Sequence, residues 1–317
     1  MVRPIASHPA HTGVLPISFR AATALSQHRA TGRTESGPGI LLMTGGMFLF
    51  GAVDALAKLL TAGLDPIQIA WARQGGLLVV VLPMLLVRGR SILHTKRPGL
   101  QILRGTIAGV SPVLFISALN YVELADAIAV AFVAPFMVTV MGGLLLGEPV
   151  GAKRWIAVSI GFLGALIVIR PGLGIVHPAV GLVFIAAAMF AVRQIMSRTL
   201  SQSDPIETTI CYTALAGVGV LTIPVIFVWT WPIPGDTLLL LACVALLAAG
   251  GEMMVIKALE IAEAVVVAPM QYTLLLWGSL YGYLLFGTVP DLWTWVGAGV
   301  IVVSGLYAMR LERRRMR

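Results

Sequence analysis

Residues 118–170 read ALNYVELADAIAVAFVAPFMVTVMGGLLLGEPVGAKRWIAVSIGFLGALIVIR. Moved 140 positions along the chain, this stretch lies without a gap on residues 258–310. Ala118, Leu119 and Glu123 meet Ala258, Leu259 and Glu263. Gly142, Leu144, Leu145 and Gly147 meet Gly282, Leu284, Leu285 and Gly287, and Trp155, Leu166 and Arg170 meet Trp295, Leu306 and Arg310. These are ten identities in 53 positions. Leu–Leu matches are cheap in apolar sequence; paired Glu, Trp, Gly and Arg are harder to reach by chance. A long internal period marks a duplicated unit. In a membrane protein, duplicated halves point to a transporter architecture.

Composition makes a membrane protein nearly unavoidable. Of 317 residues, 58% are hydrophobic and 11% charged, and the mean hydropathy is +0.93. Soluble domains carry about 25% charged residues, so these few charges cannot cover a water-facing surface. The net charge of +8 does not argue for nucleic acid, because the basic residues sit between apolar runs and form no patch on a soluble fold. Cys211 and Cys243 fall inside apolar segments and read as small buried hydrophobes. His8, His11, His28, His94 and His177 all lie outside the expected hydrocarbon core, so no metal site and no cofactor is expected.

Ten apolar segments follow a polar beginning. A hydrocarbon core about 30 Å thick needs roughly 20 helical residues. The expected spans are 40–60, 67–87, 101–121, 126–147, 154–170, 179–199, 206–229, 237–257, 264–286 and 291–310. Residues 1–39 read as a disordered cytoplasmic tail, 40–171 and 179–310 as the two repeats, and 311–317 as a basic cytoplasmic tail. Asp65-Pro66 and Asp204-Pro205 separate the first two helices of each half, as turns followed by a helix-starting proline. The expected fold is therefore all-α and integral to the membrane, with ten transmembrane helices.

Charge orients the chain. One set of loops carries Arg88, Arg90, Lys96, Arg97, Arg104, Lys153, Arg154 and Arg198, and both tails are rich in Arg. The other set carries Asp65, Glu123, Asp126, Asp236 and Asp291, with Arg170 its only basic residue. Basic loops stay in the cytoplasm, which places both termini there. Five helices per half is an odd number, so the two five-helix repeats are inverted.

No enzyme constellation stands out: there is no GxSxG, HExxH, Walker loop or GxGxxG after a strand. The interior charges are the candidates. Asp54 and Lys58, four residues apart, share one face of the first helix. Asp54 and Arg73 each lie about six residues from the outer ends of their helices, about 9 Å deep at roughly 1.5 Å per residue. Arg193 and Glu252 occupy similar depths from the inner side. These positions predict two acid–base clusters, lining a path or gating it from opposite sides. The competing account is static ion pairs, or snorkelling for Lys58. Trp71 and Gln74 beside Arg73, and Gln271, Tyr272 and Trp277 after Pro269, are candidates for lining a path for a planar or amphipathic solute. Tryptophans near helix ends read as interface anchors. Gly105/Gly109, Gly143/Gly147 and Gly278/Gly282 read as close-packing pairs that also allow a homodimer. Pro83, Pro112, Pro135, Pro224 and Pro269 are expected to interrupt helices; Pro135 and Pro269 fall in the fourth and ninth, which the repeat pairs, and the site is expected near them.

These landmarks together resemble the drug/metabolite transporter superfamily of EamA type. The resemblance rests on Ala118-Leu119, FVAP at Phe132–Pro135, LLLGE at Leu144–Glu148 and Arg154-Trp155, repeated as Ala258-Leu259, VVAPMQY at Val266–Tyr272 and LLFG at Leu284–Gly287. It covers nearly the whole chain after residue 39. Glu148 is matched by Thr288, a departure that removes any symmetric role for that acid. The DALAK run at Asp54–Lys58, with Arg97-Pro98 and Leu103–Gly105, is similar to branches that take up S-adenosylmethionine-like metabolites; bacterial riboflavin carriers belong to the same superfamily. The resemblance implies an inner-membrane carrier moving a small organic metabolite by alternating access. Proton coupling and counter-substrate exchange both fit it. Export of amino acids or drugs is the nearest alternative, and a membrane enzyme or a channel the more distant ones.

Overall fold

A computed structural model describes residues 36–145, 151–170, 177–201, 203–231, 233–262 and 264–316. Among them the structure is helical and contains no strand. Helix α1 spans Ser36–Leu60, α2 Pro66–Arg88 and α3 Pro98–Ala118. Helix α4 comes in two pieces, Leu124–Ala131 and Ala134–Leu145, and α5 spans Ala152–Ile169. The second half repeats the series: α6 Val180–Leu200, α7 Ile206–Val228 and α8 Gly235–Ile261. Helix α9 is interrupted, running Ala264–Val267, then a 3-10 turn Ala268–Tyr272, then Thr273–Phe286, and α10 spans Leu292–Met316. Eight segments are long and apolar enough to cross a membrane, and the apolar stretch Trp155–Ile169 is a shorter one. With the interrupted α9 they make the ten expected crossings.

Local chemistry explains the ends and the breaks. Asp65 caps α2, its carboxylate accepting the Ile67 N–H at 2.8 Å, and Pro66 supplies the first helical φ. Arg170 closes α5 in the left-handed region at φ 46°. Proline has no N–H for the carbonyl four residues back. Pro135 accordingly follows the gap at Phe132-Val133, and Pro269 sits in the 3-10 turn of α9. Spans 126–147 and 264–286 are thus interrupted, as their prolines led us to expect, whereas α2, α3 and α7 run unbroken through Pro83, Pro112 and Pro224, against expectation. Two ends also differ from expectation. Helix α1 starts at Ser36, because Gly39 abuts Ala262 and Val267 and so belongs to the packed bundle. Helix α10 stays helical to Met316, six residues past its expected end. The expected tail over residues 1–35, as well as Gly147 and Glu148, lies outside the described residues.

The two halves pack by one rule applied twice. Helix α1 lies on α8 as α6 lies on α3; α2 lies on α8 as α7 lies on α3; α9 lies on α1 as α4 lies on α6. The remaining main pairs, α2 with α7 and α5 with α10, join counterparts of the two halves. This is the contact pattern of a pseudo-two-fold axis relating two inverted units. Helices α2 and α8 approach closely where Gly76 meets the Ala245 carbonyl, and α3 meets α7 at Gly109 and Gly217. Large apolar side chains face outward, Leu86 at 86% and Phe227 at 84% exposure. Such a surface suits lipid rather than water. Exposed Trp229, Trp231, Trp293 and Trp295 ring one end of the bundle, as interface anchors do. Arg88, Arg90, Lys96, Arg97 and Lys153 mark the other, basic end.

The Gly76 approach separates two neighbouring glycines. A Cβ at Gly76 would strike the α8 backbone, whereas one at Gly75 meets nothing within 4 Å. Gly76→Ala should therefore destabilise the protein by about 1–3 kcal/mol. Gly75→Ala should be neutral or stabilising by up to about 1 kcal/mol. Thermal unfolding of the two purified variants in detergent checks the difference; equal melting temperatures would contradict the packing.

Candidate functional site

Interior charge is carried by α1, α2 and α8, which pack together, and by α3 and α6, which pack on each other. Asp54, only 6% exposed, accepts a hydrogen bond from Arg73 Nη1 at 3.0 Å, joining α1 to α2. The Arg73 guanidinium also lies 6.0 Å from the centre of the Phe50 ring. Phe50 in turn packs against Gly251, next to Glu252 on α8. The Arg193 guanidinium on α6 lies 4.8 Å over the centre of the Phe190 ring. It feels the charges of both Glu252 and Arg73. The two clusters expected on opposite sides of the membrane are therefore close enough to act on one another electrostatically.

Arg104 is the member that the sequence reading placed elsewhere. Counted there among loop residues that set topology, it lies within α3, six residues past the helix start. Its Nε donates to Ser197 Oγ at 2.7 Å on α6, and its Nη1 donates to Thr213 Oγ1 on α7. Ser197 is one turn from Arg193 and donates to the Arg193 carbonyl at 2.7 Å. Arg104 feels Arg193 and Glu252. The signal that could have placed it was present: Arg104 falls inside the expected span 101–121.

The other candidates do not join this group. Lys58 lies at the acidic end, donating to the Val122 carbonyl at 2.9 Å and to Glu123 Oε2 at 3.3 Å. Its face-sharing with Asp54 thus produces two separate pairs. Trp71 donates to Thr222 Oγ1 at 3.1 Å and meets Trp229 edge-on at 5.8 Å, so it joins α2 to α7. Gln74 is buried against Gly217, its Nε2 without a hydrogen-bond partner. Tyr272 packs on Phe132 at 5.0 Å and presses its hydroxyl against Gly305 of α10. This contact bridges the breaks of α4 and α9. Trp277 meets Phe48 edge-on at 5.1 Å and abuts Gly51 of α1. Gln271 is half-buried in the 3-10 turn of α9.

Polar latches close both ends of the bundle. At the acidic end, Arg170 pairs with Asp291 at 2.6 Å. Asp291 accepts the Thr294 N–H at 2.8 Å, and Thr294 Oγ1 donates to Asp126 at 2.7 Å. The Thr294 backbone N–H holds the Asp291 carboxyl below its ordinary range; burial opposes this, and the Thr294 hydroxyl and Arg170 add to it. At the basic end, Asp204 accepts from Thr95 Oγ1, and from Gln101 Nε2 at 2.8 Å. Burial would raise the Asp204 carboxyl, but hydrogen bonds from Thr95, Gln101, Lys96 and Ser203 outweigh it and bring it below its usual value. Beside this latch lies a cleft of about 380 Å³ whose lining includes Arg88, His94, Lys96 and Glu207. It is apart from the interior charges.

Two inverted helical units with charged side chains along their shared interior define a membrane transporter. Residues 37–170 and 177–310 each match the EamA-like transporter family, and the chain belongs to that family. It is 30% identical over 280 residues to a riboflavin transporter of Vibrio cholerae, covering 87% of this chain and 94% of that one. It is 24% identical over 266 residues to an S-adenosylmethionine uptake transporter of Rickettsia prowazekii, covering 83% and 89%. It is 28% identical over 286 residues to a pseudopaline exporter of Pseudomonas aeruginosa, covering 87% and 97%. A crystal structure of a protein 19% identical shares the fold, with a TM-score of 0.60 over 88% of this chain and 98% of that one.

The Asp54–Arg73 pair yields a test by double mutation. Removing one partner of a buried pair costs about 3–5 kcal/mol, because the other charge is left alone. Arg73→Gln should therefore melt well below wild type, and Asp54→Asn/Arg73→Gln should recover most of the loss. Thermal unfolding of both single variants and the double variant in detergent reads this; a double-variant loss equal to the sum of the two single losses would mean the two side chains are not coupled.

Proposed function

We propose that the protein is a secondary carrier for a small organic metabolite, working by alternating access in the inner membrane. The observation that carries this reading is the convergence of Asp54–Arg73, Arg104, Arg193 and Glu252 on the seam between the two inverted units. Ionisable groups at membrane depth are costly unless they serve each other or a solute. The inverted units supply the two alternative packings that alternating access needs. The relatives named for riboflavin and S-adenosylmethionine support a heterocyclic, cofactor-sized solute. The solute passes between α1, α2, α3, α6 and α8, with the latches at Asp204 and at Arg170–Asp291 closing the two ends in turn. Asp54 and Glu252 are the carboxylates placed to carry a proton if flux is proton-driven; exchange against a second solute is the other driving force. The relative named as an exporter supports outward flux as a second reading.

Reconstituted vesicles test the carrier. Uptake of labelled riboflavin or S-adenosylmethionine should saturate and should be accelerated by unlabelled solute trapped inside. Glu252→Ala, and the stability-restored Asp54→Asn/Arg73→Gln variant, should abolish that acceleration at normal protein levels. Linear, unsaturable flux would indicate a channel instead.

The basic end faces the cytoplasm in this reading, with both termini there. Single cysteines introduced at Arg90 and Asp236, in a background lacking Cys211 and Cys243, should label from opposite sides with a membrane-impermeant maleimide. Asp236 should be the position reached from outside the cell; the reverse result would invert the topology.

A further inference from the structure

The interior charges do not balance. Arg73, Arg104 and Arg193 face two carboxylates, Asp54 and Glu252. Asp54 is committed to Arg73 at 3.0 Å. Arg104 and Arg193 are left to share Glu252, which makes no ion pair within 4 Å with either among the described residues. One positive charge is therefore in excess, at helix positions about 9–14 Å from the basic end at roughly 1.5 Å per residue.

The two guanidiniums are prepared differently. Arg104 is fixed: Ser197 and Thr213 take its Nε and one Nη1 hydrogen, leaving three of its five N–H groups for another acceptor. Its two anchors tie it to α6 and α7, so it is a rigid fork. The Arg193 guanidinium carbon lies 4.8 Å over the centre of the Phe190 ring. Among the described residues its guanidinium has no hydrogen-bond or ion-pair partner. With no partner on them, its N–H groups are available to a planar or tetrahedral anion. Through Ser197, Arg104 reaches α6 one turn from Arg193.

We propose that Arg104 and Arg193 form the subsite for an anionic group of the transported solute, a carboxylate or a phosphate. This rests on the carrier reading and names the substrate class it implies. The anion neutralises the excess charge that Glu252 leaves uncompensated. A guanidinium pair in a low-dielectric interior holds such an oxyanion through charge-assisted, bidentate hydrogen bonds. Arg73, already paired, stays outside the subsite and sets the potential at its edge.

Matched solutes that differ in one charged group test this: riboflavin and riboflavin 5′-phosphate, adenosine and its 5′-monophosphate, phenylalanine and phenylalaninamide. Two readouts are needed, melting temperature of the purified full-length protein in detergent, and counterflow in vesicles. At least one anionic member should stabilise the wild type and exchange with affinity roughly tenfold or more above its twin, as expected for a charge-assisted contact. Arg193→Gln should lose that preference and Arg193→Lys should regain part of it, while the variants' own melting temperatures report folding. Anion-dependent stabilisation lost in Arg193→Gln, but without counterflow, would keep the subsite and remove the carrier. Saturable counterflow with no preference for the anionic twin, or a preference unchanged by Arg193→Gln, would keep the carrier and overturn the subsite. No anionic preference in either readout overturns it as well.

Discussion

A carboxylate and a guanidinium within a lipid-embedded bundle hold each other in place, and much of the interior depends on that constraint. Asp54 is buried on α1 and Arg73 on α2 reaches it at 3.0 Å. Neither could be left alone in a low dielectric without a penalty of several kcal/mol. The pair fixes the rotation of two helices about their axes, since each must turn its charge inward. That rotation carries Phe50 toward Gly251 and brings α8, with Glu252, against both α1 and α2. The apolar faces of the same helices are thereby turned to lipid, where Leu86 and its neighbours are exposed.

The duplicated unit supplies the frame, and the charges break its symmetry. Equivalent helix pairs pack in the same way in both halves, down to the close approaches of Gly76 of α2 to α8 and of Gly109 of α3 to α7. The frame is thus indifferent to which half does what. Side chains inside it are not. The buried acid of α1 has no acidic counterpart in α6: in the register set by Asp65 and Asp204, Asp54 falls on Arg193. Opposite charges in corresponding helices give the interior a polarity along its length. A symmetric frame with a polarised interior can open to either side while holding a solute in one orientation.

Some of this was legible in the sequence, and the reasons for the remainder are physical. The ten segments, the repeat and the breaks near Pro135 and Pro269 were readable because apolar length and proline act locally. Asp54, Arg73, Arg193 and Glu252 stood out because a charge inside an apolar run needs a reason. Their meeting was not readable, since depth along a helix can be counted from sequence but rotation about its axis cannot. Lys58 shows this directly. Spacing put it on the face of Asp54, yet one turn further along its long side chain reaches Val122 and Glu123 at the bundle end. Arg104 shows the converse. Near a helix start, it resembled a topology-setting charge, and only the facing Ser197 and Thr213 of other helices reveal it as interior.

The two Asp-Pro turns carry the argument about divergence to its end. Asp65 and Asp204 occupy corresponding places and carry the same local signal for a helix start. Asp65 obeys it, and its carboxylate caps α2. Asp204 does not cap α7; it turns to Thr95 and the buried Gln101 of the opposite half. A capping carboxylate stabilises its own helix wherever that helix moves. A carboxylate bonded across the seam stabilises one relative position of the halves and no other. The same dipeptide is therefore a local structural device at the acidic end and an inter-half contact at the basic end. Motion that separates α7 from the α2–α3 connection must break the Asp204 bonds, whereas the Asp65 cap travels with α2 unchanged. The divergence of the halves thus gives the two ends of the bundle different costs of opening, which a symmetric repeat alone could not provide.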